Sequence, residues 1–132
     1  MNKIFFLVDA RYPINKDRIQ KIADKTLNEM KVISDVELSV SVVGDRKMKS
    51  LNFKYRGYPN TTDVLSFPLE ETSIDNGFVS SPDQILRLGD IVISYPQAIV
   101  NAIEYNKMVD DEIDMLVSHS ILHLLGIHHE GD

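Results

Sequence analysis

Val36-Glu37-Leu38-Ser39-Val40-Ser41-Val42 alternates apolar and polar side chains at every step. Successive side chains of a strand point to opposite faces, so this segment predicts a strand with one face in a core and the other toward water. Gly44-Asp45 ends it and the period changes. Met48 and Leu51 then recur as the inner side of a short helix, with Asp45 expected as its cap. Upstream, Ile19, Ile22, Ala23, Leu27 and Met30 fall at helical spacing, with Asn15 as N-cap and Asp17 in the first turn. Residues 3–8 are apolar enough for another strand.

Downstream, Gly57-Tyr58-Pro59-Asn60 reads as a turn. Val64-Leu65-Ser66-Phe67, closed by Pro68, reads as a strand, and so does Leu88-Gly89-Asp90-Ile91-Val92-Ile93. Between them, residues 69–87 are expected to be the most mobile loop, with Asn76-Gly77 suited to turn a small hairpin. Pro96 suits the first turn of a helix that Ile99, Ala102 and Ile103 would dock. Asp110 is the expected cap of a last helix running through Ile113, Leu116, Val117, Ile121 and Leu124 to Gly126, with Asp111 and Glu112 in its first turn. The expected order is strand, helix, strand, helix, two strands, two helices. That is an α+β fold, a small mixed sheet of about four strands packed with about four to five helices on one or both faces.

The chain has 132 residues, no cysteine and no tryptophan. The absence of cysteine excludes a disulfide scaffold, a thiolate zinc finger, an iron–sulfur cluster and a thiol nucleophile. No apolar run approaches the length of a membrane span, and the start is too short and too soon acidic for a signal peptide. The expectation is therefore a cytoplasmic protein with no membrane partner. The net charge of −6 is unevenly spread: residues 1–56 sum to +5 and residues 57–132 to −11. Lysine and arginine are densest at Arg46-Lys47-Met48-Lys49 and Lys54-Tyr55-Arg56. Such a cluster serves a polyanion if it shares one surface, and is otherwise a solvated helix face.

All four histidines lie in Ser118-His119-Ser120-Ile121-Leu122-His123-Leu124-Leu125-Gly126-Ile127-His128-His129. His119 and His123, four apart, stack on one helix face. Gly126 can turn left-handed and end the helix, which lets His129 return toward the same point. Three neutral imidazoles suit a tetrahedral Zn²⁺ with one position open to water, one ion per chain, although other divalent transition metals are compatible. His128 offers a fourth nitrogen, but neighbouring side chains of an extended segment point opposite ways. The same spacing occurs in metalloproteases, where a glutamate follows the first histidine as general base; here that position is Ser120. Residues 1–132 are thus expected to form a single metallohydrolase-like domain, with the metal site at the end of the C-terminal helix.

These segments resemble the YbeY-type rRNA-maturation endoribonucleases of bacteria. The resemblance rests on His119 to His129, on Phe53-Lys54-Tyr55-Arg56 followed by Thr61-Thr62-Asp63-Val64-Leu65-Ser66-Phe67-Pro68, and on Leu88 to Ile93, all in the family's order. Ser120, His128 and Thr61 stand where the family pattern has Gly, Asp and Pro. The resemblance implies His119, His123 and His129 as metal ligands and Arg56 as a functional arginine. It also implies a metal-dependent, single-strand-specific endoribonuclease acting in small-subunit rRNA maturation and ribosome quality control. Single-stranded RNA or rRNA, small-subunit ribosomal proteins and an assembly GTPase are the implied partners. In that setting Arg56 would face the reacting phosphate, unless it is a structural ion pair with Asp63 or Asp90. Lys47, Lys49 and Lys54 would track the RNA backbone. Asp63 and Ser66 are plausible cleft residues, and Tyr55 and Tyr58 could stack on bases or belong to the core or its rim. Another zinc hydrolase, including a peptidase, and a non-catalytic ribosome-assembly factor with a structural metal are the competing expectations.

Overall fold

The alternation around Val40 produces the strand it predicts, and the sheet grows outward from it. The structure is a computed structural model that describes residues 1–69 and 84–126, together with the backbone of residues 74–75 and 78–79. In chain order the elements are β1 (Asn2–Val8), α1 (Lys16–Glu29), β2 (Asp35–Val43), α2 (Asp45–Arg56), β3 (Val64–Pro68), β4 (Ile74–Asp75), β5 (Phe78–Val79), β6 (Ile85–Ser94), α3 (Tyr95–Glu104) and α4 (Val109–Leu124). The main sheet runs β1-β2-β6-β3. Its first three strands are parallel, and β3 lies antiparallel on the β6 edge. β4 and β5 pair antiparallel as expected; the Asn76-Gly77 turn lies outside the described residues. β6 begins at Ile85, so the last three residues of the expected 69–87 loop are strand.

Each face of the sheet carries its own core. Val36, Leu38, Val40 and Val42 of β2 join Leu86, Leu88, Ile91 and Ile93 of β6, and all are buried against α1, α3 and α4. On the opposite face, Leu65 and Phe67 of β3 and Val92 of β6 receive Met48 and Leu51 of α2. The odd spacing from Leu88 to Ile91 has a cause. The β2–β6 register slips between Glu37 and Leu38, which pair with Arg87 and Gly89, so Leu88 is an extra residue that resets which side chains face inward.

Several local expectations shift. The Asn15 side chain caps α1 by accepting from the Arg18 backbone N–H at 3.0 Å, as its position predicts. Gly44, not Asp45, is the N-cap of α2. The Asp45 carboxylate instead accepts from the hydroxyls of Ser94 at 2.8 Å and Thr61 at 3.2 Å. Met108, not Asp110, caps α4, and Asp110 sits in the first turn. On α3, Ala98 and Ala102 dock while Ile99 and Ile103 are exposed. Pro96 does start the helix, and Ser94 caps it.

Helix directions place the ends that matter. Arg18 near the start of α1 bonds Asp111 and Asp114 near the start of α4, and Thr26 near the end of α1 meets Ser118 further along α4. The two helices therefore run parallel. α1 is the crossover between parallel strands β1 and β2, so both helices run against β6 and in the same sense as β3. No described helix is long and apolar enough to cross a membrane.

Candidate metal and RNA site

The α4 residues buried in the core are Glu112, Ile113, Leu116, Val117, Ser120 and Ile121, a face repeating every turn. His119 and His123 fall on its flank and are half-buried. Their Nε2 atoms lie 2.9 Å apart, with ring centroids 4.5 Å apart. Imidazoles bind Zn²⁺ at about 2.0–2.1 Å, so two on one tetrahedral ion hold their nitrogens about 3.3 Å apart. The observed separation is that of a hydrogen bond between the two rings, a few tenths of an ångström shorter than a shared ion requires, so a small ring movement brings the pair to that geometry. His123 is in the last turn of α4, where the negative end of the helix dipole favours positive charge. The helix stops as expected: Gly126 has φ +83°, and its N–H bonds the His123 carbonyl at 2.9 Å. A β-carbon there would meet nothing among the described residues, and the glycine answers to the left-handed backbone conformation.

His129 lies outside the described residues, as does His128. Among the described residues no group of three His, Asp or Glu side chains gathers into a metal-holding cluster. Ser120, which follows the first histidine, is buried on the core side of α4 and not beside the histidines. The position of a metalloprotease general base is thus filled by a small hydroxyl turned inward.

Arg56 is the last residue of α2 and is exposed. The ion pair expected as the alternative for it is absent. Asp63 accepts from Asn101 at 3.1 Å and Asp90 from the Ser39 hydroxyl, and among the described residues no carboxylate pairs with Arg56. Its guanidinium lies over the Tyr58 ring, 5.0 Å from the centroid. Tyr55 packs on Phe67 at 5.0 Å, which fixes the end of α2 at the Phe67 end of β3. α4 runs along β3 and β6 in the same sense as β3, so His119 and His123 lie toward that end too, on the other face. The arginine and the histidines are brought to one end of the edge strand from opposite faces of the sheet. No hydrogen bond or ion pair among the described residues joins them. Ser66 alternates to the α4 face and is half-buried, opposite Ile91.

Lys47, Lys49 and Lys54 are all exposed on α2. Lys47 and Arg46 also line a cleft of about 580 Å³ with Asp9, Arg11, Tyr12 and Ser50, at the carboxyl ends of β1 and β2. Arg11 is not a free cation there. Its side chain, and then its backbone N–H, hydrogen-bond Asp9 and hold that carboxyl down at about 2.

A polar network escapes sequence reading altogether. One amide nitrogen of Asn101, on α3, donates to Asp63 Oδ2 and to Glu112 Oε2, each at 3.1 Å. Glu112 is fully buried, and Lys107 Nζ lies 2.7 Å from its other oxygen. The network ties the start of α4 to the segment entering β3. Its members come from separate elements, and no spacing in the sequence links them.

A family model described as Endoribonuclease YbeY matches residues 8–132. The Endoribonuclease YbeY of Dehalococcoides mccartyi is 42% identical over 118 residues, covering 85% of this chain and 69% of that protein. That of a Thermoanaerobacter species is 39% identical over 121 residues, covering 89% of this chain and 76% of its own. The solution structure of a protein from Thermotoga maritima is similar with a TM-score of 0.59 at 30% identity, over 100% of this chain and 77% of that one.

Proposed function

The chain belongs to the endoribonuclease YbeY family, and on that footing we propose that it is a metal-dependent nuclease that hydrolyses phosphodiester bonds of single-stranded RNA in small-subunit rRNA maturation and ribosome quality control. The observation that carries the reading is the pair of Nε2 atoms of His119 and His123, 2.9 Å apart at the end of α4. His119, His123 and His129 are the proposed ligands, and one Zn²⁺ per chain is the proposed ion. When bound, such an ion supplies Lewis acidity toward a phosphate oxygen and a water that ionises near neutral pH.

Arg56 presents a permanently charged fork, unclaimed by any described carboxylate, to the phosphate whose charge grows as the bond breaks. Lys47, Lys49 and Lys54 extend positive charge along α2 and hold the RNA backbone, so affinity falls steeply with salt. Small-subunit ribosomal proteins and an assembly GTPase in the cytoplasm complete the proposed setting.

Chelation tests the reading. Cleavage of labelled single-stranded and duplex RNA is followed before chelation, after it, and after Zn²⁺ is restored, with His123→Ala alongside. The expected result is a folded, inactive chelated protein that regains single-strand cleavage with Zn²⁺, and a variant that neither retains metal nor cleaves. Cleavage that survives chelation and His123→Ala overturns the metal site. Loss of α4 helicity on chelation assigns the ion a structural role instead.

A further inference from the structure

The end of α2 and its following turn read Phe53-Lys54-Tyr55-Arg56-Gly57-Tyr58, aromatic and basic residues alternating. The aromatics are not core: Phe53, Tyr55 and Tyr58 are 63%, 56% and 55% exposed. The packing of α2 on the sheet is done by Met48 and Leu51 instead. Water is a poor solvent for three large rings within six residues, so their exposure calls for an occupant.

Tyr55 and Tyr58 are also held in place. Tyr55 leans on Phe67 with 59° between ring planes, and Lys54 Nζ lies 5.1 Å from its centroid. Gly57 takes φ +75°, which reverses the chain and returns Tyr58 beneath the Arg56 guanidinium. The turn is pinned from inside, where buried Asn52 donates to the Asn60 carbonyl at 2.8 Å. Rings fixed before binding lose little entropy on binding.

The charge around them selects the occupant. α2 carries Arg46, Lys47, Lys49, Lys54 and Arg56 against one acid, Asp45, in a chain of net charge −6. The Asp45 carboxylate is taken up by Ser94 and Thr61. A surface that alternates cations with flat π faces matches a polymer that alternates phosphates with unpaired bases. An acidic peptide without aromatic side chains would satisfy the cations and leave the ring faces unused.

We propose that Tyr55 and Tyr58 form a stacking platform that seats unpaired bases of the RNA strand beside Arg56. The proposal rests on the nuclease reading above and adds a subsite to it. It accounts for single-strand preference, because paired bases cannot offer their faces.

Two labelled oligonucleotides of equal length test it by fluorescence anisotropy at fixed salt: a 2′-O-methyl RNA of mixed sequence, and an abasic oligomer with the same backbone. The full chain is expected to prefer the base-bearing oligomer by roughly tenfold or more. Tyr55→Leu/Tyr58→Leu is expected to bind that oligomer roughly tenfold more weakly, with abasic affinity unchanged. Tyr55→Phe/Tyr58→Phe retains the preference, which separates ring stacking from folding, and Tyr105→Leu, an exposed tyrosine on α3's end, changes neither affinity. Equal binding of the two oligomers by the unaltered chain, or a preference that survives the leucine pair, overturns the platform and leaves the rings to a protein partner. No binding of either oligomer overturns the nuclease reading itself.

Discussion

The carbonyl oxygen of Phe67 lies 2.2 Å from the place where a β-carbon on Gly89 would sit. Gly89 also has φ +140°, a backbone conformation that L side chains rarely adopt. Gly89 directly follows the bulge at Leu88 and pairs with Pro68 of the edge strand. Gly89→Ala must push the edge strand away, and it is expected to lower stability by at least about 2 kcal/mol. Urea unfolding checks this, and a midpoint equal to the unaltered chain's contradicts the account.

Glu112 is buried with Lys107 as its charge partner. Removing one member of a buried pair strands the other, so Lys107→Met is expected to cost about 3 kcal/mol. Lys107→Met/Glu112→Gln should recover most of that loss. A double variant no more stable than the single one shows that the loss does not come from a stranded carboxylate.

Arg18 bridges Asp114 at 2.8 Å and Asp111 at 2.6 Å, joining α1 to α4. Its hydrogen bond holds the Asp111 carboxyl below the usual range. A depressed carboxylate contributes stability above its unfolded value, near pH 4, and loses it as pH falls toward the folded value. The melting-temperature gap between the unaltered chain and Arg18→Ala is therefore expected to hold steady from pH 7 to about pH 5 and to narrow below about pH 4. Melts followed by circular dichroism give the answer, and a gap constant to pH 3 removes the ion bridge as its source.

Arg56 has no carboxylate partner among the described residues, so its replacement should barely alter stability. Arg56→Ala is expected to lower kcat for RNA cleavage by about 100-fold, with metal content intact. Arg56→Lys keeps the charge without the planar fork and should recover only part of the rate. Unchanged turnover in Arg56→Ala would remove this residue from the chemistry.

Where one element's own pattern decides the outcome, sequence and structure agree. The β2 alternation, the Asn15 cap, the His119–His123 spacing and the left-handed Gly126 all depend on residues a few positions apart. What the chain did not reveal depends on distant partners. Asp45 is drawn from the capping role by Ser94 and Thr61, which lie 49 and 16 positions away. Ile99 and Ile103 share helical spacing with Ala98 and Ala102, and only the closeness of α3 to the sheet decides that the small pair docks. The Leu88 bulge inverts parity between Leu86-Arg87-Leu88 and Ile91-Val92-Ile93, and it is defined by the pairing with β2, a partner some fifty positions away, rather than by a spacing within β6. Nor does alternation say which face of a sheet receives which helix, so Arg56 and the histidines appeared as neighbours in a motif order when they approach β3 from two sides.

That two-sided approach sets a mechanical condition on the substrate. β3 is one of the two edge strands of the main sheet and only five residues long. A strand whose reacting phosphate meets both Arg56 and the end of α4 must bend sharply at this thin rim, its flanking nucleotides leaving along the two faces. A duplex, stiff over roughly 150 base pairs in the case of DNA, resists such curvature strongly, whereas a lone strand swivels at every backbone bond. Bending stiffness alone would then sort RNA by strandedness, before any base or phosphate is recognised.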